Sequence, residues 1–588
     1  WITCEDMSPD LGCYGDTFSR SPNIDRLARQ GLRYTRAFSN AGVCAPSRST
    51  LITGLYATSL GTHPMRCQGK LPAFITCFPE PLRQAGYYCS NNVKTDYNFR
   101  HRPASWDESS NRAHWRNRKK GQPFFSVFNL TTTHEGQIRA PRQQFERHMA
   151  RVKAEDRHDP AKVPLPPYYP DTPRVRRDRA NYYDLITSMD AQVGEILKQL
   201  EDDGLAEDTI VFFFSDHGVG LPRGKRWLYD SGTRVPLIIR FPKKFAHLAP
   251  GKPGSSIDRL VSFVDLAPTI HSLCGVASPK HLQGIAFLGE RAGKPREYVF
   301  GIRDRMDERY DMTRSVRDRR YRYIRNYRPD LPWAQPINYM DLMPTMQEWR
   351  RLASAGKLTG PQKIFLSPTK PAEELYDLEH DPHEVVNLAG SREHRATLER
   401  LRKVHRAWQE ETLDLGFLPE DELHTRAGQS TIYEAVRQDA KVYPLEKIRA
   451  AADLLTAEGD PTAKLKEARK DADSAVRWWA VIGLGVRGGE AALGELRASL
   501  KDSAPAVRVA AARALALRGQ ESEALPVLRA ELQHTNEWVR AQAAHALDEL
   551  GTRARPALEE LRKALKDSND YVRRLATHAL ATLGEQSP

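Results

Sequence analysis

The chain has 588 residues and a net charge of +13, with 28% charged and 40% hydrophobic residues. That length exceeds one ordinary core and calls for several domains, and the composition is that of a globular chain rather than a disordered or fibrous one. No run of about 18 apolar residues occurs, so no transmembrane helix is expected; the basic surface points to a polyanion, and no helix-turn-helix, zinc-finger or ribonucleoprotein pattern favours nucleic acid.

Trp1-Ile2-Thr3-Cys4 reads as the end of a buried strand whose start is missing, so a preceding segment carrying an export signal is expected. In Gly42 to Gly54 a Cys stands before Pro, Ser and Arg where a helical pattern begins. This places Cys44 at a helix N-terminus, where backbone N–H groups and the dipole favour an anion. Arg48 lies one turn on, on the same face. Residues 123–130, 209–214 and 236–241 read as buried strands. A helical pattern over about 174–203 carries Ile186, Met189, Val193, Ile196, Leu197 and Leu200 on one stripe. Alternation of this kind over residues 1–300 predicts an α/β sheet with helices on both faces and a site at the C-terminal ends of its strands.

The Pro-rich residues 159–173 are expected to form a surface loop. Residues 301–432 consist of shorter, more polar pieces and are expected to form a small α+β subdomain, with a linker around 426–440. The tail repeats: Val476-Arg477, Val507-Arg508, Val539-Arg540 and Val572-Arg573 each open an Ala/Leu-rich helix after a polar turn. Gly519, Gly551 and Gly584 close three of those helices. A period near 30 with paired helices predicts an all-α solenoid over 433–588, by default structural or partner-binding. Cys4, Cys13, Cys44, Cys67, Cys77, Cys89 and Cys274 form an odd, scattered set rather than a disulfide framework, with room for one or two bridges.

Carboxylates fall at two expected strand ends. Glu5-Asp6 follows the first strand and Asp216-His217 follows the Phe-rich one, so both pairs could converge on one hard cation. His134 follows another strand and can donate a proton near neutral pH. Aromatic and charged clusters around Trp106, Trp115 and Arg303 suit sugar rings and anionic groups and are candidates for a substrate pocket.

The segment C-x-P-S-R at Cys44 to Arg48 resembles the signature of the type I sulfatases, of the alkaline phosphatase superfamily. Glu374-Leu375-Tyr376-Asp377-Leu378 with Asp381-Pro382 and Asn387-Leu388 is similar to that family's C-terminal element. Lys225 with Tyr229, Gly232, Arg234 and Pro236 is similar to another of its elements. The tail resembles HEAT-like repeats.

The resemblance implies an alkaline-phosphatase-like sheet and a Cys44 oxidised to formylglycine by a formylglycine-generating enzyme. One hydroxyl of the hydrated aldehyde would attack sulfur and the other would later expel sulfate. Arg48, Lys94, His134 and Lys225 would be catalytic. Glu5, Asp6, Asp216 and His217 would hold a divalent metal. Glu5 departs from the commoner Asp by one methylene. Calcium is the expected ion, and the His217 imidazole admits magnesium or manganese. Near Lys94 the family often has K-x-H where this chain has Asp96; His63, His101 or Asp96 itself are the candidates for that role. The Glu-Asp and K-T-D style is similar to heparan N-sulfatase-like bacterial proteins. It implies an O-sulfate ester or N-sulfate on a sulfated glycan, in an exported protein. A phosphonate or phosphodiester hydrolase of the same superfamily and a silent glycan-binding scaffold are the alternative readings.

Overall fold

The computed structural model describes residues 1–100 and 102–585; His101 lies outside them. Eight strands build the main sheet: β1 (Ile2–Cys4), β2 (Leu32–Phe38), β3 (Tyr88–Asn92), β4 (Glu108–Ser109), β5 (Phe124–Leu130), β6 (Val211–Ser215), β7 (Arg234–Arg240) and β8 (Ser256–Ser262). Their order is β4-β3-β5-β1-β6-β7-β2-β8. The short, fully buried β1 pairs in parallel with β5 and β6, while β7 runs antiparallel to both β6 and β2. The sheet is therefore mixed.

Its two-sided burial is written in β6. Phe213 packs on one face with Ile2 and Phe128, and Phe212 and Phe214 pack on the other with Val127 and Leu237. A strand covered on both sides needs such a continuous apolar run.

Helix α1 (Cys44–Thr53) follows β2 and is buried along its whole length. Helix α2 (Pro173–Asp202) starts at Thr172, whose hydroxyl accepts from the Val175 amide, and buries Ile186, Met189, Val193, Leu197 and Leu200. It matches the expected stripe, with Ile196 at its edge.

A second, antiparallel sheet joins β9 (Val299–Arg303), β10 (Thr313–Arg317), β11 (Tyr321–Asn326) and β12 (Glu373–Asp377) in the order β12-β11-β10-β9. Helix α3 (Arg395–Thr412) covers it, packing Leu398 and Leu401 on Val316, Tyr323 and Leu375.

The tail forms the expected all-α solenoid, with helices α4 (Ser474–Arg487), α5 (Pro505–Ala516), α6 (Glu537–Glu549) and α7 (Asp570–Thr582) opened by the four Val-Arg repeats. Asp473, Asn536 and Asn569 cap α4, α6 and α7 through their side chains. The repeated Arg has a structural purpose. Arg477 pairs with Asp502 and Arg540 with Asp567, each at 2.8 Å, tying one repeat to the turn of the next. Gly519, Gly551 and Gly584 adopt positive φ of 79°, 56° and 79°, where a side chain would be strained.

Two expectations change. The supposed linker contains a helix, Ile432–Gln438, and Arg426 pairs with Asp473 at 2.9 Å. The solenoid core is also continuous with the small sheet: Met312 and Tyr327 share one cluster with Leu415, Phe417, Trp479 and the later repeats. The Trp479 indole donates to the Phe417 carbonyl at 2.9 Å. All seven cysteines are free thiols, so no bridge forms.

This shared core has a thermodynamic consequence. Trp479→Ala is expected to cost about 3–5 kcal/mol, and the intact chain should unfold in one calorimetric transition across the small sheet and the solenoid. Two well-separated transitions would contradict the shared core.

Candidate functional site

The site forms at the C-terminal ends of β1, β5 and β6, where the chain leaves the sheet and its backbone turns. Asp6 takes up a positive φ of 53° directly after β1. Its Oδ2 receives the Lys225 ammonium and the Glu135 amide, both at 2.7 Å. Its Oδ1 lies 3.0 Å from His217 Nε2 and has no hydrogen-bond donor. His217 Nδ1 lies 3.0 Å from the Gly218 carbonyl. A neutral ring donating there leaves the Nε2 lone pair facing Asp6, Asp216 and the Cys44 thiol.

Cys44 sits in the first turn of α1, with Sγ 3.3 Å from His217 Nε2. Burial pushes its thiol well above the usual range, with Lys225 opposing the shift. The chain brings Lys225 beneath it by a close backbone approach. The Arg226 amide donates to the Gly42 carbonyl, and a Cβ on Gly42 would come within 2.4 Å of the Trp227 carbonyl oxygen.

Arg48, one turn along α1, is buried among acceptors. Its Nε donates to Asp216 Oδ2 at 3.0 Å and its Nη1 to Asn129 Oδ1 at 2.9 Å, and Nη2 lies 3.6 Å from Glu5. Lys94 bonds the Glu5 carboxylate and lies 4.0 Å from Asp96. Burial draws the Lys94 ammonium below its ordinary range. For Lys225 burial works in the same direction, but Asp6 and the other acidic groups around it together outweigh it and the net shift is upward.

His134 caps the short helix Glu135–Ile138. Its Nδ1 accepts from the Gly136 amide, so the proton of the neutral ring lies on Nε2, 3.3 Å from Lys225 Nζ. Burial, with the Lys225 charge added, lowers its pKa to about 4.

Ligand atoms of Asp216, His217 and Cys44 lie within 4.8 Å of one another, as do those of Asp6, Cys44 and His134. With the orphaned Asp6 Oδ1 and the inward-facing His217 Nε2, this donor set fits a divalent cation. Glu5 instead turns towards Lys94 and Arg48.

Comparison with known proteins settles the family. Residues 1–276 match the family model described as "Sulfatase", 222–335 match "N-sulphoglucosamine sulphohydrolase, C-terminal", and 462–548 with 525–588 match "HEAT repeats". An ulvan-active sulfatase of Formosa agariphila is 41% identical, over 75% of this chain and 79% of its own. The chain belongs to the sulfatase family.

The human N-sulphoglucosamine sulphohydrolase is 28% identical to this sulfatase, over 70% of this chain and 90% of its own. The solved phosphonate monoester hydrolase of Agrobacterium radiobacter shares the fold at a TM-score of 0.52 and 18% identity, covering 70% of this chain and 95% of that one. Sulfatases use a bound metal and a formylglycine. This chain is accordingly a sulfuric ester hydrolase with an alkaline-phosphatase-like fold.

Three expected substrate residues are not at the site. Trp115 packs on Phe124, the first residue of β5, and its indole donates to Asp203 at 2.7 Å. That is the opposite end of the sheet. Arg303 is 2% exposed, bonded to Asp311 and to the Arg226 carbonyl. It supports the loop behind Lys225 and does not face the opening. His63 is buried, surrounded by the charges of Asp304, Arg314, Asp414 and Glu420. It faces the small subdomain. Asp96 remains at the rim, beside Lys94 and Arg66.

The structure adds Glu135 and Asn129, which the sequence did not single out. Glu135 pairs with Arg226 at 2.8 and 2.9 Å and with Lys225 at 3.1 Å. Burial raises a carboxyl, but Arg226 and Lys225 reverse this and hold Glu135 at about 2. Glu135→Gln leaves two buried cations short of a partner. We expect a loss of about 3–5 kcal/mol, read by denaturant melts, together with a marked fall in sulfate release. A stability change below 1 kcal/mol would show that the pairs contribute little.

Proposed function

We propose that this sulfatase removes O-sulfate or N-sulfate groups from a sulfated glycan at a formylglycine formed from Cys44. The observation that carries the reading is the convergence of Arg48, Lys94, Lys225 and His134 around Cys44, together with Asp6, Asp216 and His217, of which Asp6 leaves Oδ1 without a hydrogen-bond partner. The printed names of the relatives, an ulvan-active sulfatase and an N-sulphoglucosamine sulphohydrolase, support a sulfated saccharide.

Asp6, Asp216 and His217 would hold the metal, with Glu5 on its edge. The ion, with calcium expected, would polarise the sulfuryl oxygens, and the aldehyde hydrate at position 44 would supply the oxygen nucleophile. The chain's own groups do the rest. Lys225 and Lys94 present ammonium groups to the anionic sulfuryl oxygens. Arg48, fixed on Asp216 and Asn129, holds the first turn of α1 against the carboxylates. His134 would protonate the departing oxygen or nitrogen from Nε2 as an imidazolium, a form favoured once the bound sulfuryl anion offsets the burial and the Lys225 charge that keep the free ring neutral. Asp96 takes the position of the family His. The catalytic unit spans 1–300, the small subdomain 301–432 and the solenoid 433–588. Export to the periplasm or exterior suits a polymeric substrate; no described helix is long and apolar enough to cross a membrane.

The test is sulfate release from O-sulfated and N-sulfated sugars compared with phosphate release from a phosphodiester. Sulfate release at least 100-fold faster supports the reading, and preference for the phosphodiester overturns it. His134→Gln should slow sugar sulfates about 10²–10⁴-fold and an activated aryl sulfate far less, because a good leaving group needs no acid. Equal losses would remove His134 from that role. Chelation should abolish turnover, with calcium restoring more activity than magnesium or manganese; the reverse order would contradict calcium.

A further inference from the structure

The solenoid does not project away from the catalytic unit. Its last two long helices return to the turn after β9, Met306 to Arg309, which is closed by the Met306 and Arg309 backbone bridge. Arg305 lies over the rings of Trp538 on α6 and Tyr571 on α7, at 4.5 and 4.4 Å. Arg309 pairs with Asp548 at 2.5 Å. Arg574 pairs with Asp570 at 2.6 Å and lies 3.8 Å from Asp307 and 3.7 Å from Glu308. The other oxygen of Asp307 bonds Arg226 at 3.2 Å, and Arg226 is the residue that holds Glu135 against Lys225. An unbroken series of charged contacts thus joins α7 to the sulfuryl-binding lysine.

Arg66 stands on the other side of this turn. The Met65 carbonyl accepts from Arg305 at 2.8 Å and from the Tyr571 hydroxyl at 3.2 Å. Asn98 accepts from the Arg66 amide at 2.6 Å. The backbone of Arg66 is therefore clamped from both sides, in a left-handed conformation with φ 55°. Its side chain is 53% exposed and has one loose partner, Asp96 at 3.7 Å. Asp96, beside Lys94, lies on its catalytic side, and Tyr571 and Asp307 act on it from the side of the solenoid. A cation with a fixed backbone, a weak partner and an open side at the edge of a sulfuryl site is suited to a second negative group on the same substrate.

We propose that the terminal repeat of the solenoid completes the substrate site in cis, with Tyr571 and Arg574 fixing the turn that positions Arg66 as a subsite for a second anionic group, a carboxylate or another sulfate, of a sulfated oligosaccharide. This rests on the glycan reading above. It assigns the solenoid to substrate selection within the same chain.

The experiment is calorimetric binding to the full chain with two probes, a monosaccharide bearing one sulfate and a heparin-derived disaccharide bearing a uronate and two sulfates. The variants are Arg66→Gln and Arg574→Gln, each checked by thermal melt, and both alter partly exposed side chains. For Arg66→Gln the disaccharide should weaken about 10-fold more than the monosaccharide, with KM following the same ratio and kcat much less affected. Arg574→Gln should show the same preference, about 3-fold. Equal weakening of both probes, or none, overturns the subsite. An effect of Arg66→Gln alone removes the solenoid's part in it and so overturns the proposal as stated. A wild-type protein that binds neither probe overturns the glycan reading itself, and the subsite with it.

Discussion

Asp6 is the residue on which the site depends. It is fully buried, and its two oxygens face opposite halves of the site: Oδ2 towards Lys225 and the Glu135 amide, Oδ1 towards His217 and the open donor cluster. A buried carboxylate is costly unless it is paired. Burial works against the charged form, but the Lys225 ammonium leads the interactions that reverse this and hold Asp6 well below the ordinary range. That requirement fixes the loop after β6, the loop bearing Lys225 and the start of the Glu135–Ile138 helix relative to one another. The parallel pairing of β1 with β5 and β6 delivers all three to the same edge.

Cys44 and Arg48 were legible because their relation is local: one helical turn sets it, whatever the tertiary fold. Asp6, Asp216 and His217 were legible as strand-end residues, since apolar runs mark the strands and parallel sheets gather chemistry at one end. Glu135 was not. Its neighbour His134 drew attention by residue type, whereas the importance of Glu135 comes from Arg226, about 90 residues away in sequence. Asn129 was hidden in the same way, at the last turn of a strand that otherwise read as plain core.

The misplaced residues have a common cause. Aromatic and charged patterns report composition, not which end of a sheet they occupy, so Trp115 was indistinguishable from a pocket residue. Arg303 lies in a run of alternating charges that looks like a solvated loop. In the fold that run is a strand end and a tight turn, with each charge matched by a partner from elsewhere, Asp311 for Arg303 and Glu420 for Arg305. The solenoid was visible from its period, but repeat spacing contains no information about where the array docks. Its return to the catalytic unit depends on Trp538, Tyr571 and Arg574, three substitutions in an otherwise regular pattern.

Everything in the chemical account depends on the conversion of one buried thiol. The most direct measurement is the mass of the tryptic peptide Ala37 to Arg48 from protein made in its native host. The account predicts an aldehyde in place of the Cys44 thiol. An unmodified thiol, from a host that matures other sulfatases, would contradict it.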